Sequence, residues 1–348
     1  MTDAIMIYGA YGYTGTLVTR RAVESGQRPV LAGRNPEKLE TLAAEHGLDW
    51  VSFDVTDGEA MRQALADCSV LLNCAGPFIE TFAPMTSACL DMGVHYLDIT
   101  GEIDVLAGCA DLDTRAVEAG ITIMPGVGFD VVPTDCMAAM LKRELPDADT
   151  LTLAFKGLQQ ASRGTAMTAI PYLGQRPFMR KNGRVVHRTG SLTKRFDFGE
   201  GPETLYAISW GDVVTAWHTT GIGTIEVFML PPADMVALMK MPLFLRKMLI
   251  SPLGRPLLNR QLRSMPDGPD KEMRATGRCV VYGRASNAAG QVAELWLETG
   301  EGYGLTGVLA STIAGIAAKG GLPTGFQTPA GALGADFILD VDGCAMIG

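Results

Sequence analysis

The chain has 348 residues, 47% of them hydrophobic and 19% charged, with a formal net charge of −9. That length suits about two domains with sizeable cores, and the acidic balance excludes a nucleic-acid binder that works through a basic face. Cys68, Cys74, Cys89, Cys109, Cys136, Cys279 and Cys344 form no Cys-x-x-Cys pair, and His46, His95, His187 and His218 show no ligand spacing. This argues against a disulfide framework or a metal site and for reduced thiols in the cytoplasm.

Residues 4–8 are an apolar run that reads as a buried strand entered directly from the N-terminus, without a signal peptide. Beyond Gly15, Leu17, Val18, Ala22 and Val23 recur at helical spacing until Gly26. Between strand and helix stands Tyr8-Gly-Ala-Tyr-Gly-Tyr-Thr-Gly15. Such a glycine turn lets backbone N–H groups approach a pyrophosphate at the positive end of the following helix. Gly9, Tyr11, Gly12, Tyr13, Thr14 and Gly15 are therefore candidate dinucleotide-binding residues.

A second strand over 28–33 ends in Arg34, where an NAD site places an acidic residue. An arginine there suits the 2′-phosphate of NADP; the alternative is a solvated strand-end charge. Asn35 and Pro36 read as the N-cap and first position of a helix running to His46 and closed by Gly47. A third strand, 50–53, precedes Asp54 and a helix over 58–66; a fourth, 70–74, runs into Ala75, Gly76, Pro77 and Phe78. A helix over 84–92, a fifth strand over 95–99, a helix over 112–119 and a sixth strand over 121–124 complete the alternation. Strands alternating with helices predict a parallel sheet covered on both faces, with the ligand at the carboxyl ends of the first and fourth strands. Asp54, Ala75, Gly76, Pro77 and Phe78 join the candidate cofactor residues on that ground.

After a helix over 134–144 the pattern changes. Strands are expected at 150–156, 185–188, 205–210, 224–229, 278–284 and 291–298, forming one mixed or antiparallel sheet. A glycine-rich helix over 305–319 and a short helix opened by Thr328 and Pro329 follow. The fold class is α/β: an N-terminal doubly wound parallel sheet of Rossmann type with a second α/β domain on a mixed or antiparallel sheet. The expected division is 1–132, joined by 323–348, and 133–322.

The motifs in 8–15, Leu31-Ala-Gly-Arg34, Ala75-Gly-Pro-Phe78, Tyr96-Leu-Asp-Ile-Thr-Gly-Glu102 and Gly128-Phe-Asp-Val-Val-Pro-Thr-Asp135 resemble the saccharopine dehydrogenase-like oxidoreductases. Within them the chain is most similar to the branch holding the trans-acting enoyl reductases of mycobacterial lipid synthesis. The resemblance is specific over the first 135 residues and beyond them rests on Ser162-Arg-Gly-Thr165, 302–307 and 322–333. It implies an NADP-bound Rossmann domain, an α/β domain covering the nicotinamide, and a C-terminal helix packed on the first domain. The activity it implies is reduction of a conjugated C=C in a lipid- or polyketide-like substrate. Two alternatives stand beside it: saccharopine-type chemistry at C–N, and a non-catalytic NADP-binding protein associated with membranes or lipid.

Hydride transfer needs a donor for the developing anion, and no tyrosine is followed four residues later by lysine, so the short-chain dehydrogenase mechanism is disfavoured. Candidate proton donors are Glu102 and Asp130 at strand ends, and Tyr172 in the second domain. Loop-tying for Asp98 and Glu102, helix capping for Asp130 and Asp135, and core packing for Tyr172 are the structural alternatives. Phe129, Ser162, Arg163 and Thr165 are candidate substrate contacts, the last three against the alternative of an ordinary helix cap. A C–N substrate with several carboxylates would draw on Arg163, Arg176, Arg180, Arg184, Arg188 and Arg195. Residues 232–263 hold Lys240, Arg246, Lys247, Arg255, Arg260 and Arg263 against a single Asp234, interleaved with methionine and leucine. Such a helix suits a membrane surface, an acyl-carrier contact, a lid or a homodimer face.

Overall fold

The computed structural model describes residues 4–347, apart from the side chains of Ala233, Asp234, Asn259 and Arg263. Two members of the basic stretch, Asp234 and Arg263, thus have side chains outside the described residues. The chain divides into two compact units: residues up to Val132 with Tyr303–Leu333, and Pro133–Gly302 with the residues from Gly334 onward.

In the first unit β1 (Ile5–Tyr8), α1 (Tyr13–Glu24), β2 (Val30–Gly33), α2 (Pro36–His46), β3 (Trp50–Ser52), α3 (Gly58–Leu65), β4 (Val70–Asn73), α4 (Phe78–Met92), β5 (His95–Asp98), α5 (Ile103–Ala110), α6 (Asp113–Ala119) and β6 (Thr122–Met124) follow in order. In the second come α7 (Val132–Glu144), β7 (Thr150–Lys156), α8 (Arg163–Leu173), β8 (Phe178–Lys181), β9 (Arg184–His187), β10 (Thr193–Asp197), β11 (Pro202–Ala207), α9 (Asp212–Thr220) and β12 (Thr224–Met229). They are followed by α10 (Ala233–Lys240), α11 (Leu243–Ile250), α12 (Arg255–Ser264), α13 (Lys271–Thr276), β13 (Arg278–Ser286) and β14 (Val292–Gly300). The chain then returns with α14 (Gly302–Ala318), β15 (Gly325–Phe326) and α15 (Pro329–Leu333), and ends in β16 (Ala345–Met346).

The first sheet has the order β15-β6-β5-β4-β1-β2-β3 with every pair parallel. Its central strands are buried throughout, as the apolar runs Ile5–Tyr8 and Val70–Asn73 require when helices cover both faces. Strand order reverses between β1 and β4, so a crevice opens outside their carboxyl ends. The second sheet, β10-β11-β12-β7-β13-β14-β16 with β8 attached to β12 and β9 to β8, is antiparallel except for β7 with β12.

The expected domain division needs correction. The glycine-rich helix α14, assigned to the second domain, lies almost wholly in the first unit, and the residues from Gly334 belong with the second. Small residues make the return possible: a Cβ at Gly307 would stand 3.3 Å from the Leu17 carbonyl oxygen, and Gln27 donates to the Ser311 carbonyl at 3.0 Å. The tail goes back because β16 pairs with β14.

Two helices also differ from expectation. α4 starts at Phe78 and carries Pro84 in its interior rather than at its start. The single helix expected within 232–263 is three short ones, interrupted where Pro242 and Pro252 stand.

In the second unit, α7 lies against β13 at Gly283, where an added Cβ would fall 2.5 Å from Met137 Cγ and 2.6 Å from Leu141 Cδ1. Gly283→Ala therefore forces two packed side chains aside and should cost about 1–3 kcal/mol. A lower urea midpoint for the second unit is the expected readout; an unchanged midpoint would show that the interface yields freely.

Candidate functional site

The site is built at the carboxyl edge of the first sheet, from the turn after β1. Gly9 has φ +78°, its N–H donates to the Ala32 carbonyl at 2.8 Å, and its carbonyl accepts from Gly12 N–H at 2.9 Å. A Cβ at Gly9 would meet the Ala75 methyl at 2.9 Å, and one at Gly15 would lie 2.2 Å from the Gly9 carbonyl oxygen. The three glycines thus bring the start of α1 against the end of β1. Gly12 sits at the N-cap and contributes no side-chain cap, so the first N–H groups of α1 face outward at its positive end. A helix start of this geometry can hold a pyrophosphate.

β2 adds the next part. A Cβ at Gly33 would lie 2.6 Å from the Tyr11 ring, so the ring rests on bare backbone there. The Tyr11 hydroxyl accepts from Arg34 N–H at 3.2 Å, which fixes the backbone from which the exposed Arg34 side chain extends. Asp54 lies within electrostatic reach of Arg34; its carboxyl is held below the usual range first by the backbone and hydroxyl bonds from Thr56, and then by Arg34. Tyr13 packs edge-on against Tyr303 of α14 at 5.3 Å. Thr14 occupies the first turn of α1.

The loop Ala75, Gly76, Pro77, Phe78, whose Gly76–Pro77 bond is cis, is held from three sides. Asn73 Oδ1 accepts from Ala75 N–H at 2.9 Å, and Asn73 Nδ2 donates to Thr81 Oγ1 at 2.9 Å. Thr81 donates in turn to the Ala75 carbonyl at 3.0 Å. Glu102 then accepts from Phe78 N–H at 2.8 Å with one carboxylate oxygen and from Ile79 N–H at 3.2 Å with the other. It caps α4 from the next loop. Burial raises its pKa and the two N–H donors oppose the rise. Glu102, expected as a proton donor, instead spends both oxygens on the helix end.

Behind this loop Asp98 is fully enclosed. One oxygen accepts from Thr100 N–H at 3.0 Å and Gly126 N–H at 2.9 Å; the other accepts from the Tyr96 hydroxyl at 2.9 Å. Burial pushes its carboxyl up to about 6, against the pull of those hydrogen bonds. Asp130 differs. It stands against Gly101, where a Cβ would be 3.0 Å from its Oδ2, and its carboxylate has no hydrogen-bond partner among the described residues. Burial alone pushes it up to about 7. Beside it, Phe129 N–H donates to Thr306 Oγ1 of α14 at 3.0 Å.

The structure therefore brings together Gly9 to Gly15, Arg34, Asp54, Ala75 to Phe78, Glu102, Phe129 and Asp130 within one unit. The remaining candidates lie in the second unit. Ser162 Oγ accepts from Thr165 N–H at 3.1 Å, which is an ordinary N-cap of α8. Arg163 is paired with Asp267 at 2.6 Å. Tyr172 packs edge-on against Phe178 at 6.4 Å. The arginines proposed for a multi-carboxylate substrate are mostly committed elsewhere. Arg176 donates to the Arg188 and Gly190 carbonyls, Arg180 to the Val213 and Gly183 carbonyls, and Arg188 pairs with Glu226 at 2.5 Å.

Asn73, Thr81, Tyr303 and Thr306 are not among the site residues expected from the sequence. Asn73 carried a usable signal, being the one polar residue in an otherwise apolar strand. Tyr303 and Thr306 lie in 302–307, a segment that carries part of the resemblance, and arrive from α14, far along the chain from Tyr13 and Phe129.

Residues 5–124 match the model of the saccharopine dehydrogenase NADP binding domain. That match lies within the first unit, and the cofactor that such a domain binds is NADP. The chain is also similar to a protein of Arabidopsis thaliana named "probable mitochondrial saccharopine dehydrogenase-like oxidoreductase", at 33% identity over 153 residues, 38% of this chain and 33% of that one. It is similar to the trans-acting enoyl reductase of Mycobacterium ulcerans at 30% identity over 158 residues, 43% of this chain and 38% of that one. The matched part thus spans less than half the length of these relatives. The fold is that of the saccharopine dehydrogenase (L-Glu forming) of Saccharomyces cerevisiae, with a TM-score of 0.63 at 14% identity over 99% of this chain and 100% of that one. Among the described residues no helix is long and apolar enough to cross a membrane, and no group of His, Cys, Asp or Glu has metal-binding geometry.

Because burial raises the Asp98 pKa, the folded state takes up its proton more readily than the unfolded chain. Its contribution to stability is fully present below its ordinary 3.8 and is lost as pH rises through about 6. Asp98→Asn keeps an oxygen for Thr100 and Gly126 and removes the buried charge. The variant should gain on the wild type by about 2–3 kcal/mol on going from roughly pH 4 to pH 8, read from melting temperatures at each pH.

Proposed function

We infer that this protein is an NADP-dependent oxidoreductase of the saccharopine dehydrogenase-like kind that reduces a conjugated C=C in a lipid- or polyketide-like substrate. The observation that carries the reading is the carboxyl edge of the first sheet. There a glycine turn suited to a pyrophosphate and an arginine accompany one half-buried carboxyl, Asp130, that has no hydrogen-bond partner among the described residues and a pKa pushed up to about 7. The similarity to trans-acting enoyl reductases supports the choice of substrate class.

In this reading the N–H groups at the start of α1, with Gly9, Gly12 and Gly15 leaving room, hold the pyrophosphate. Arg34 holds the 2′-phosphate, with Asp54 at its flank. Ala75, Gly76, Pro77 and Phe78 line the path toward the nicotinamide end. When bound, NADPH supplies a hydride. The second addend is a proton, which Asp130 holds at its carboxyl near neutral pH and delivers to the carbon next to the substrate carbonyl, then recovers from water. Phe129 contributes apolar surface beside it. Glu102 and Asp98 take no proton-transfer role: their oxygens are occupied in holding the loops. The rival C–N reading is weakened because Arg163, Arg176, Arg180 and Arg188, four of the six arginines it would draw on, are spent on internal partners.

Two measurements test this. Calorimetric titration of Arg34→Ala should show NADPH binding weakened about 10- to 100-fold, as expected for lost charged hydrogen bonds, with NADH little changed; equal effects on both would reduce Arg34 to a surface charge. In an NADPH-oxidation assay with enoyl thioesters, wild-type turnover should fall as pH rises through about 7. Asp130→Asn should lose about 100-fold or more and show no such limb. A variant with an unchanged pH profile would remove Asp130 from the mechanism, and a blank panel with cofactor bound would remove the substrate class.

A further inference from the structure

Residues 242–264 contain Arg246, Lys247, Arg255, Arg260 and Arg263 and no acid, in a chain of net charge −9. They form α11 and α12, which pack on each other and on α8. Inward, Leu258 and Leu262 are wholly or partly covered on α12, and Ile250 lies where a Cβ of Gly174 would be. Arg246 also turns inward, its Nε donating to the Met241 carbonyl at 3.1 Å, and burial lowers its pKa. Outward the pattern inverts. Phe244 is 65% exposed, Met248 64%, Leu257 66% and Leu253, in the turn between the helices, 94%. Phe244, Lys247 and Met248 share one face of α11 by their i, i+3, i+4 spacing, and Leu257 and Arg260 share one face of α12. Lys247, Arg255 and Arg260 are exposed and have no acidic partner among the described residues.

We propose that α11 and α12 form a docking surface for an anionic lipid bilayer, with Phe244, Met248, Leu253 and Leu257 entering the acyl boundary and Lys247, Arg255 and Arg260 meeting the headgroups. Four large apolar side chains exposed on two packed helices and the turn between them mark an interaction surface. The cations around them say which sign it carries. A second copy of the chain would bring these same cations face to face, and their repulsion argues against self-association. Four side chains that protrude from two short helices and a turn also suit a fluid boundary, which accommodates protrusions without a matching set of pockets. This surface is independent of the oxidoreductase reading.

The test is flotation of the full chain with vesicles of phosphatidylcholine alone and with added phosphatidylserine. Binding to the anionic vesicles only is expected, weakening with salt. Lys247→Glu with Arg260→Glu should lower partitioning by at least roughly five-fold per site, and Phe244→Ser with Leu257→Ser by about ten-fold or more. Lys319→Glu, an exposed cation elsewhere, should leave it unchanged. The two double variants act at exposed positions and report independently, so a folding defect in one leaves the other to decide. No flotation with either vesicle, or flotation that both double variants leave intact, overturns the proposal. So does an equilibrium dimer that Phe244→Ser dissociates in the absence of lipid binding, or capture of the patch by an acidic acyl-carrier protein without lipid binding.

Discussion

The first unit depends on one buried carboxylate. Asp98 draws N–H groups from the loops after β5 and β6 and a hydroxyl from within β5 onto two oxygens, in an interior where an unmet donor is costly. Around it the network spreads outward: Tyr96 accepts from Asn73, Asn73 positions Ala75 and Thr81, and Glu102 closes the end of α4. The Ala75 methyl then lies against Gly9, so the glycine turn after β1 rests on the same frame. Most acidic groups at this edge are therefore occupied in holding loops. Asp130 stands out because the frame leaves it unused.

How far the sequence reveals such an arrangement depends on whether the cause is local. α2 is legible because Asn35 caps it through Lys38 N–H, Pro36 starts it and Gly47 ends it in the left-handed conformation. The turn around Gly9 and the alternation of strands with helices are legible for the same reason. The start of α4 is not: its cap is Glu102, which lies 24 residues from Phe78, and Pro84 reads as a more natural beginning. β10, with the polar run Thr193 to Asp197, carries too little hydrophobic signal to be read as a strand; its pairing with β11 supplies what its composition lacks.

The second unit shows the same division between composition and placement. A count of arginines suggests a site for a poly-anionic substrate, yet Arg163, Arg176, Arg180 and Arg188 are held by Asp267, by backbone carbonyls and by Glu226. The basic stretch after Pro232 reads correctly as amphipathic, but its prolines break one long helix into short ones, which changes what its faces present. Charge alone locates neither feature; partners do.

β15 completes the edge of the first sheet beside β6, although more than half the chain lies between them. During synthesis Pro133–Gly302, most of the second unit, leaves the ribosome while β6 still exposes a bare row of backbone donors and acceptors. The nascent first unit must wait with an unpaired edge, the condition that invites pairing with a neighbouring chain. The short length of β15 and the nearby Asp113, which accepts from Phe326 N–H at 2.8 Å, suggest how the late arrival is captured: a side chain already in place receives the returning backbone.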